Sequence, residues 1–186
     1  LVGSEMCIRD RQKTYSLIRE PQIKHVSQLI GEHTRIFLYG FGSSGLAAQE
    51  FQLRLLRLGM DAEAITELHQ MVLNEARITN ACLVIGISLS GATRELIDAL
   101  DRAKARGAAV IYLTSSNAER EKRTYEEIVL APVKKNLEYG NVISPQFPIL
   151  LILDLIYAQL LKEDRRSTEA QYDTHIWERI KDYHVG

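Results

Sequence analysis

Two short turns hold most of the residues in this chain that could do chemistry. The first is Gly40-Phe41-Gly42-Ser43-Ser44-Gly45, between a strand pattern and a helical one. There the unpaired N–H groups of a starting helix and its dipole attract an anion. The spacing formally satisfies G-x-G-x-x-G, the dinucleotide fingerprint, which also wants an acid about twenty residues on. Asp61 and Glu63 stand at the start of the second strand rather than its end, so they supply that acid poorly. The paired hydroxyls of Ser43 and Ser44, beside Gly42, suit a compact, doubly charged phosphate group. The second turn is Ser88-Leu89-Ser90-Gly91-Ala92-Thr93. Its hydroxyls at 88, 90 and 93 can converge on one anion with the N–H of Gly91. Phosphate offers several acceptor oxygens, so a ring of neutral donors matches it without Lys or Arg. Ser and Thr in such places are also common helix caps. Two hydroxyl-rich turns at the ends of two sheet strands favour a phosphate site over two unrelated caps.

The elements that must position these turns follow from hydrophobic spacing. Ile23, Val26 and Ile30 share one helical face after Pro21, with Gly31 as a stop. Strand patterns lie at Arg35–Tyr39, Ala62–Thr66, Ala81–Ile87, Ala109–Thr114 and Glu127–Ala131. The third is nearly unbroken in its apolar character, as a strand buried on both faces must be. Helices run between them: one to Leu58, one through Met71 and Leu73, and one carrying Leu96, Ile97, Leu100 and Ala103 as far as Gly107. Asn117 to Thr124 is a polar connection, and Leu137 to Ser144 a loop. Ser144 is expected to cap a long helix striped by Ile149, Leu153, Ile156 and Leu160, with Pro145 in its first turn and Pro148 kinking its start. A polar break at Lys162 to Arg166 precedes a last helix with Tyr172, Ile176 and Ile180 every four residues. Strands alternating with helices predict an α/β fold with a parallel sheet. Ligands of such sheets bind outside the carboxyl ends of the strands, where both turns fall.

Composition narrows the possibilities. The 186 residues include 46% hydrophobic and 25% charged, enough for one domain with a two-sided core. Lys and Arg number 23 against 24 Asp and Glu, a net charge of −1. That balance argues against a chain that holds nucleic acid by its own field. No apolar run approaches the roughly 20 residues that span a bilayer. The longest, Phe147 to Leu161, is interrupted by Pro148, Asp154 and Gln159. Cys7 and Cys82 stand far apart, and Cys82 lies in an apolar strand pattern, so a buried thiol and a cytoplasmic location are expected. Residues 1–10 show neither period nor signal-peptide layout, and they read as a non-native leader or a linker from an upstream domain. Residues 11–186 read as a single domain.

The motifs resemble those of the SIS (sugar isomerase) domain, a family that binds phosphosugars. Gly40, Gly42 and Ser44 match its G-x-G-x-S after the first strand. Ile87, Ser88, Ser90, Gly91 and Thr93 match its more specific I-S-x-S-G-x-T after the third. The resemblance covers about residues 20–180. It implies a flavodoxin-like, five-stranded parallel sheet flanked by helices on both faces, with Ser44, Ser88, Ser90 and Thr93 holding a sugar phosphate.

Two branches of that family differ in one residue that matters. An aldose–ketose isomerase needs a carboxylate base at the sugar. The 6-phospho-3-hexuloisomerases carry a glutamate there, eight residues before an aspartate that Asp154 resembles. Here that position is Gln146, whose amide can bond a sugar hydroxyl but cannot take its proton. Glu138 in the preceding loop is a minor substitute. His175 falls near a histidine of those isomerases, although beside Tyr172 and Ile176 it reads better as a surface or interface residue. Gly59-Met60-Asp61, Leu68-His69-Gln70 and Ile152-Leu153-Asp154-Leu155-Ile156-Tyr157 resemble the effector domain of RpiR-type transcription regulators, which carry an N-terminal helix-turn-helix domain.

The expectation is therefore a sensor of a sugar phosphate or amino-sugar phosphate that controls carbohydrate-metabolism genes. No catalytic residue, cofactor, metal or membrane is expected. DNA would be contacted only through a domain missing from this chain. The resemblance implies a homodimer or tetramer, for which the last helix, near Trp177, is a candidate interface. A stand-alone ketose–aldose phosphate isomerase and a structural or dinucleotide-binding module are the alternatives.

Overall fold

A computed structural model of the chain describes residues 19–115, 124–131 and 146–167. Its elements, in chain order, are α1 (Glu20–Glu32), β1 (Arg35–Gly40), α2 (Gly42–Arg57), β2 (Ala62–Ile65), α3 (Leu68–Asn74), β3 (Cys82–Ser88), α4 (Arg94–Ala105), β4 (Ala109–Thr114), β5 (Glu127–Leu130) and α5 (Phe147–Ser167). A single 3-10 turn, Glu75–Arg77, follows α3.

The five strands form one sheet in the order β2-β1-β3-β4-β5, and every neighbouring pair is parallel. This is the flavodoxin-like order, whose topological switch point lies between β1 and β3. Alternation along the strands divides the core in two. Ile36 and Leu38 of β1 face one side, with Leu83, Ile85, Ile111 and Val129; α1, α2 and α5 cover them through Val26, Phe51, Leu55, Ile152 and Ile156. Phe37 and Tyr39 face the other side, with Val84, Val110 and Tyr112, under Met71 of α3 and Leu96 and Leu100 of α4. All seven residues of β3 are buried, as its unbroken apolar run requires at the centre of a two-sided sheet.

The periphery is tied by polar contacts. Gln22 of α1 donates to Glu127 at 2.7 Å and to the Ile128 carbonyl at 3.1 Å, fixing α1 against the β5 edge. Arg54 of α2 bridges Glu50 and Asp154 of α5 and lies 5.6 Å from the Tyr157 ring centre. The two helices that flank the switch point on that face are thus clamped together. On the opposite face, burial pushes the Tyr39 phenol above its ordinary 10.0, and Asn74 donates to its oxygen at 2.8 Å. Cys82 is buried, as its strand pattern predicts.

Two expectations near α5 are corrected. Its helix runs through Lys162–Arg166 to Ser167 instead of breaking there. Lys, Glu and Arg are good helix formers, and polarity alone does not end a helix. Gln159 also donates to Glu163 one turn on, at 2.8 Å. Pro148 does not interrupt the start, because it is the second helical residue, where an N–H would have no intrahelical acceptor. Ser144, Pro145 and the expected last helix, with Tyr172, Ile176, Trp177 and Ile180, lie outside the described residues, as do residues 1–10 and Cys7.

Candidate functional site

The two chemical turns follow β1 and β3, and these strands are neighbours. Gly40, the last residue of β1, is in register with Ile87, which precedes Ser88. The chain then leaves to opposite faces, because α2 packs with one core and α4 with the other. The crevice at the switch point therefore has Ser43 and Ser44 on one lip, and Ser88, Ser90 and Thr93 on the other.

In the first turn, the helix begins earlier than the glycine run suggests, at Gly42. Ser43 and Ser44 thus belong to its first turn, where amides lack an acceptor a full α-helical turn back. The Phe41 carbonyl takes two amides just inside, from Ser44 at 3.0 Å and Gly45 at 3.2 Å. Strand end and helix start nearly touch. A Cβ on Gly40 would stand 2.8 Å from the Ser44 carbonyl oxygen, and one on Gly45 would stand 2.9 Å from that of Gly40. Only glycines let the first turn of α2 sit so close over the strand end.

The second turn is braced from within. Gly91 adopts φ +65°, a conformation that side-chain-bearing residues avoid, and its amide donates to the Ser88 carbonyl at 3.1 Å. The Ser88 and Thr93 hydroxyls bond to each other at 3.2 Å. Ser90 Oγ accepts the Ala92 amide at 3.3 Å. Ser88 is buried at 4% exposure, Thr93 is half-buried and Ser90 is exposed. Thr93 precedes α4 in the N-cap position without a side-chain capping bond. A hydroxyl that served only as a cap would make that bond.

Gln146 closes the crevice from above. It stands immediately before α5, and its carbonyl accepts the Leu150 amide at 2.9 Å. Its side-chain Nε2 donates to the Ser43 carbonyl at 2.9 Å. Ser43, Ser44, Ala47, Leu89, Gln146 and Ile149 line a small open pocket. None of the six is charged. The structure thus brings Ser43, Ser44 and Gln146 into one pocket, with Ser88, Ser90, Gly91 and Thr93 beside it through Leu89. Glu138 and His175 lie outside the described residues.

Sequence reasoning missed four participants. Ala47, Leu89 and Ile149 form the apolar part of the lining. Ser115, just after β4, donates to the Leu89 carbonyl through both its amide, at 3.3 Å, and its hydroxyl, so it anchors the second turn. Its only sequence signal was its place at the end of a strand next to β3.

The SIS domain family model matches residues 28–147. The chain belongs to the SIS domain family. As an SIS domain it is similar to an uncharacterized HTH-type transcriptional regulator of Haemophilus influenzae, 30% identical over 151 residues, which covers 81% of this chain and 52% of the relative. The chain spans about half the length of this relative and of a similar HTH-type regulator of Clostridium perfringens. In fold it resembles the sugar isomerase domain of an RpiR transcription factor from Sphaerobacter thermophilus, with a TM-score of 0.76, 21% identity and coverage of 86% and 87% of the two chains. It also resembles the Vibrio vulnificus NanR protein complexed with ManNAc-6P, with a TM-score of 0.84, 21% identity and coverage of 100% of this chain and 69% of the other. No helix among the described residues is long and apolar enough to cross a membrane.

Proposed function

We propose that this SIS domain is the phosphosugar-sensing effector part of an RpiR-type bacterial transcription regulator. The observation that carries the reading is the meeting of the Ser44 and Ser88–Thr93 turns at the switch point. In this reading the Ser44, Ser88, Ser90 and Thr93 hydroxyls hold the phosphate, with backbone help around Gly42, Ser43 and Gly91. Similarity to HTH-type regulators, and a span of about half their length, support a sensor role within a longer protein. DNA would then be bound by another domain, and occupancy would act by favouring one arrangement of a homodimer or tetramer.

Gln146 supports sensing over isomerisation. By the resemblance to the hexuloisomerases it takes the place of their carboxylate base, and its side-chain amide donates to the Ser43 carbonyl. Its amide can bond a sugar hydroxyl, but it cannot take the sugar's proton. Among the described residues, the pocket lining contains no carboxylate or imidazole.

The test is incubation of the purified chain with ketose and aldose phosphates, following both isomer conversion and melting temperature. The expected result is a raised Tm without conversion. A ligand at 100 times its Kd adds about 2.7 kcal/mol, roughly 5–10 °C for a chain of this size. Conversion that survives Gln146→Ala and disappears in Glu138→Gln would establish an isomerase instead.

A further inference from the structure

Among the described residues, the large aliphatic side chains left open to solvent all lie on two helices. They are Leu46, Leu53 and Leu56 of α2, and Leu68, Val72 and Leu73 of α3, each between 42% and 62% exposed. The outer side of α4 is instead charged, with Arg94, Glu95, Asp98 and Arg102. One exposed leucine is ordinary, but a group of six marks a surface that meets something.

α2 is apolar on two faces. Ala47, Phe51 and Leu55 enter the core beneath it. Leu46, Gln49, Leu53 and Leu56 follow at spacings of three, four and three on its outer side. That is the narrow seam of a helix packed on another helix, and no charge interrupts it. α3 joins this surface around the β2 edge. A Cβ on Gly45 would stand 2.9 Å from Thr66 Cγ2, so the first turn of α2 meets the connection into α3. Gln52 Oε1 accepts the Ala64 amide at 2.9 Å, which occupies a donor that an added strand would use. The partner therefore docks through helices rather than as a sixth strand.

The six side chains present on the order of 500 Å² of apolar surface, about the apolar share of what one partner brings to a standard interface. α2 and α3 pack on opposite faces of the sheet. A single stripe such as Tyr172, Ile176 and Ile180 is wide enough for one of these helices, not for both. A second copy of the chain supplies an identical seam and a matching area. We propose that α2 and α3 form the surface on which two copies of this chain dimerise, the α2 seams packed against each other. This goes beyond the phosphosugar reading and does not depend on it. Ser43 and Ser44 lie in the first turn of α2, so one helix spans both the pocket and the interface.

Sedimentation equilibrium of the parent chain, Leu53→Glu and Leu73→Glu across the micromolar range tests this, with thermal unfolding followed at the lowest concentration. Both side chains are more than half exposed, and glutamate suits a helix, so each monomer is expected to keep its fold. The parent is expected to dimerise. Each substitution enters a two-fold interface twice, so each is expected to raise the dimer Kd at least about tenfold. A dimer whose Kd is unchanged in either variant overturns the proposal, because the interface then lies elsewhere. A parent that stays monomeric overturns it as well. In that case a Tm lowered by Leu53→Glu would show that the chain's own residues cover the seam, and an unchanged Tm would show that nothing does.

Discussion

Gln146 Nε2 donates to the Ser43 carbonyl at 2.9 Å across 103 positions of sequence. This bond joins the start of α5 to the first turn of α2, above the switch point. Further along, Arg54 and Asp154 join the same two helices. The mouth of the pocket is therefore framed by helices held at both levels.

Gln146→Glu is expected to lose the bond to Ser43 and set a carboxylate against a carbonyl oxygen. The loss is about 1 kcal/mol, a Tm decrease of roughly 2–4 °C. Restoring the isomerase residue type is not expected to create an isomerase, because the displaced carboxylate lacks a positioned site. Differential scanning calorimetry and a coupled assay for ketose phosphate conversion check both halves.

Gly40→Ala reads the close packing of strand end on helix start. Its Cβ would stand 2.8 Å from the Ser44 carbonyl oxygen and 2.9 Å from the Ser44 carbonyl carbon. Backbone must move, at a cost of about 2 kcal/mol, and the movement displaces Ser44 itself. The expected outcome is a Tm lower by roughly 4–8 °C together with loss of any shift by sugar phosphates.

Ser88→Ala and Ser90→Ala should separate stability from binding. Ser88 is buried and bonded to Thr93, so its removal is expected to cost about 1 kcal/mol of stability. Ser90 is exposed, so Ser90→Ala is expected to change unliganded stability by no more than about 0.5 kcal/mol. Each is expected to weaken sugar-phosphate binding about tenfold or more, since hydrogen bonds to charged groups contribute about 1.5–3 kcal/mol. Denaturant unfolding and calorimetric titration of both variants give the two readouts.

Acid sensitivity should arise at the far end of the sheet. The Arg77 guanidinium, hydrogen-bonded to Glu63 and aided by Arg35, holds that carboxyl below its ordinary 4.5. A carboxyl with a depressed folded pKa contributes stability that is present above its unfolded value, about 4.3, and is lost as pH falls through the folded value. The Tm gap between the parent chain and Glu63→Gln is expected to be full at pH 7 and to shrink below about pH 4.5. A gap that stays constant down to pH 3 would remove Glu63 from the account.

Much of this arrangement was legible in the chain because local pattern and tertiary place agree. The unbroken run through β3 could only be a central strand, and the hydroxyl turns carried their own spacing. What local pattern could not provide was adjacency across the sequence. Ala47, Leu89 and Ile149 look like ordinary core residues until α2, the β3 turn and α5 meet. The polar run at Lys162–Arg166 misled for a related reason: a polar helical end carries no apolar stripe, so its hydropathy resembles a loop.

The central claim is that the two turns hold the phosphate of a sugar. Its most direct test is titration calorimetry of the parent chain and Ser90→Ala with hexose 6-phosphates, acetylated and plain, and with the same sugars unphosphorylated. The account predicts saturable binding of at least one phosphorylated sugar, no binding of its unphosphorylated counterpart, and affinity reduced about tenfold or more in Ser90→Ala. Equal binding with and without the phosphate, or an unaltered affinity in Ser90→Ala, would contradict it.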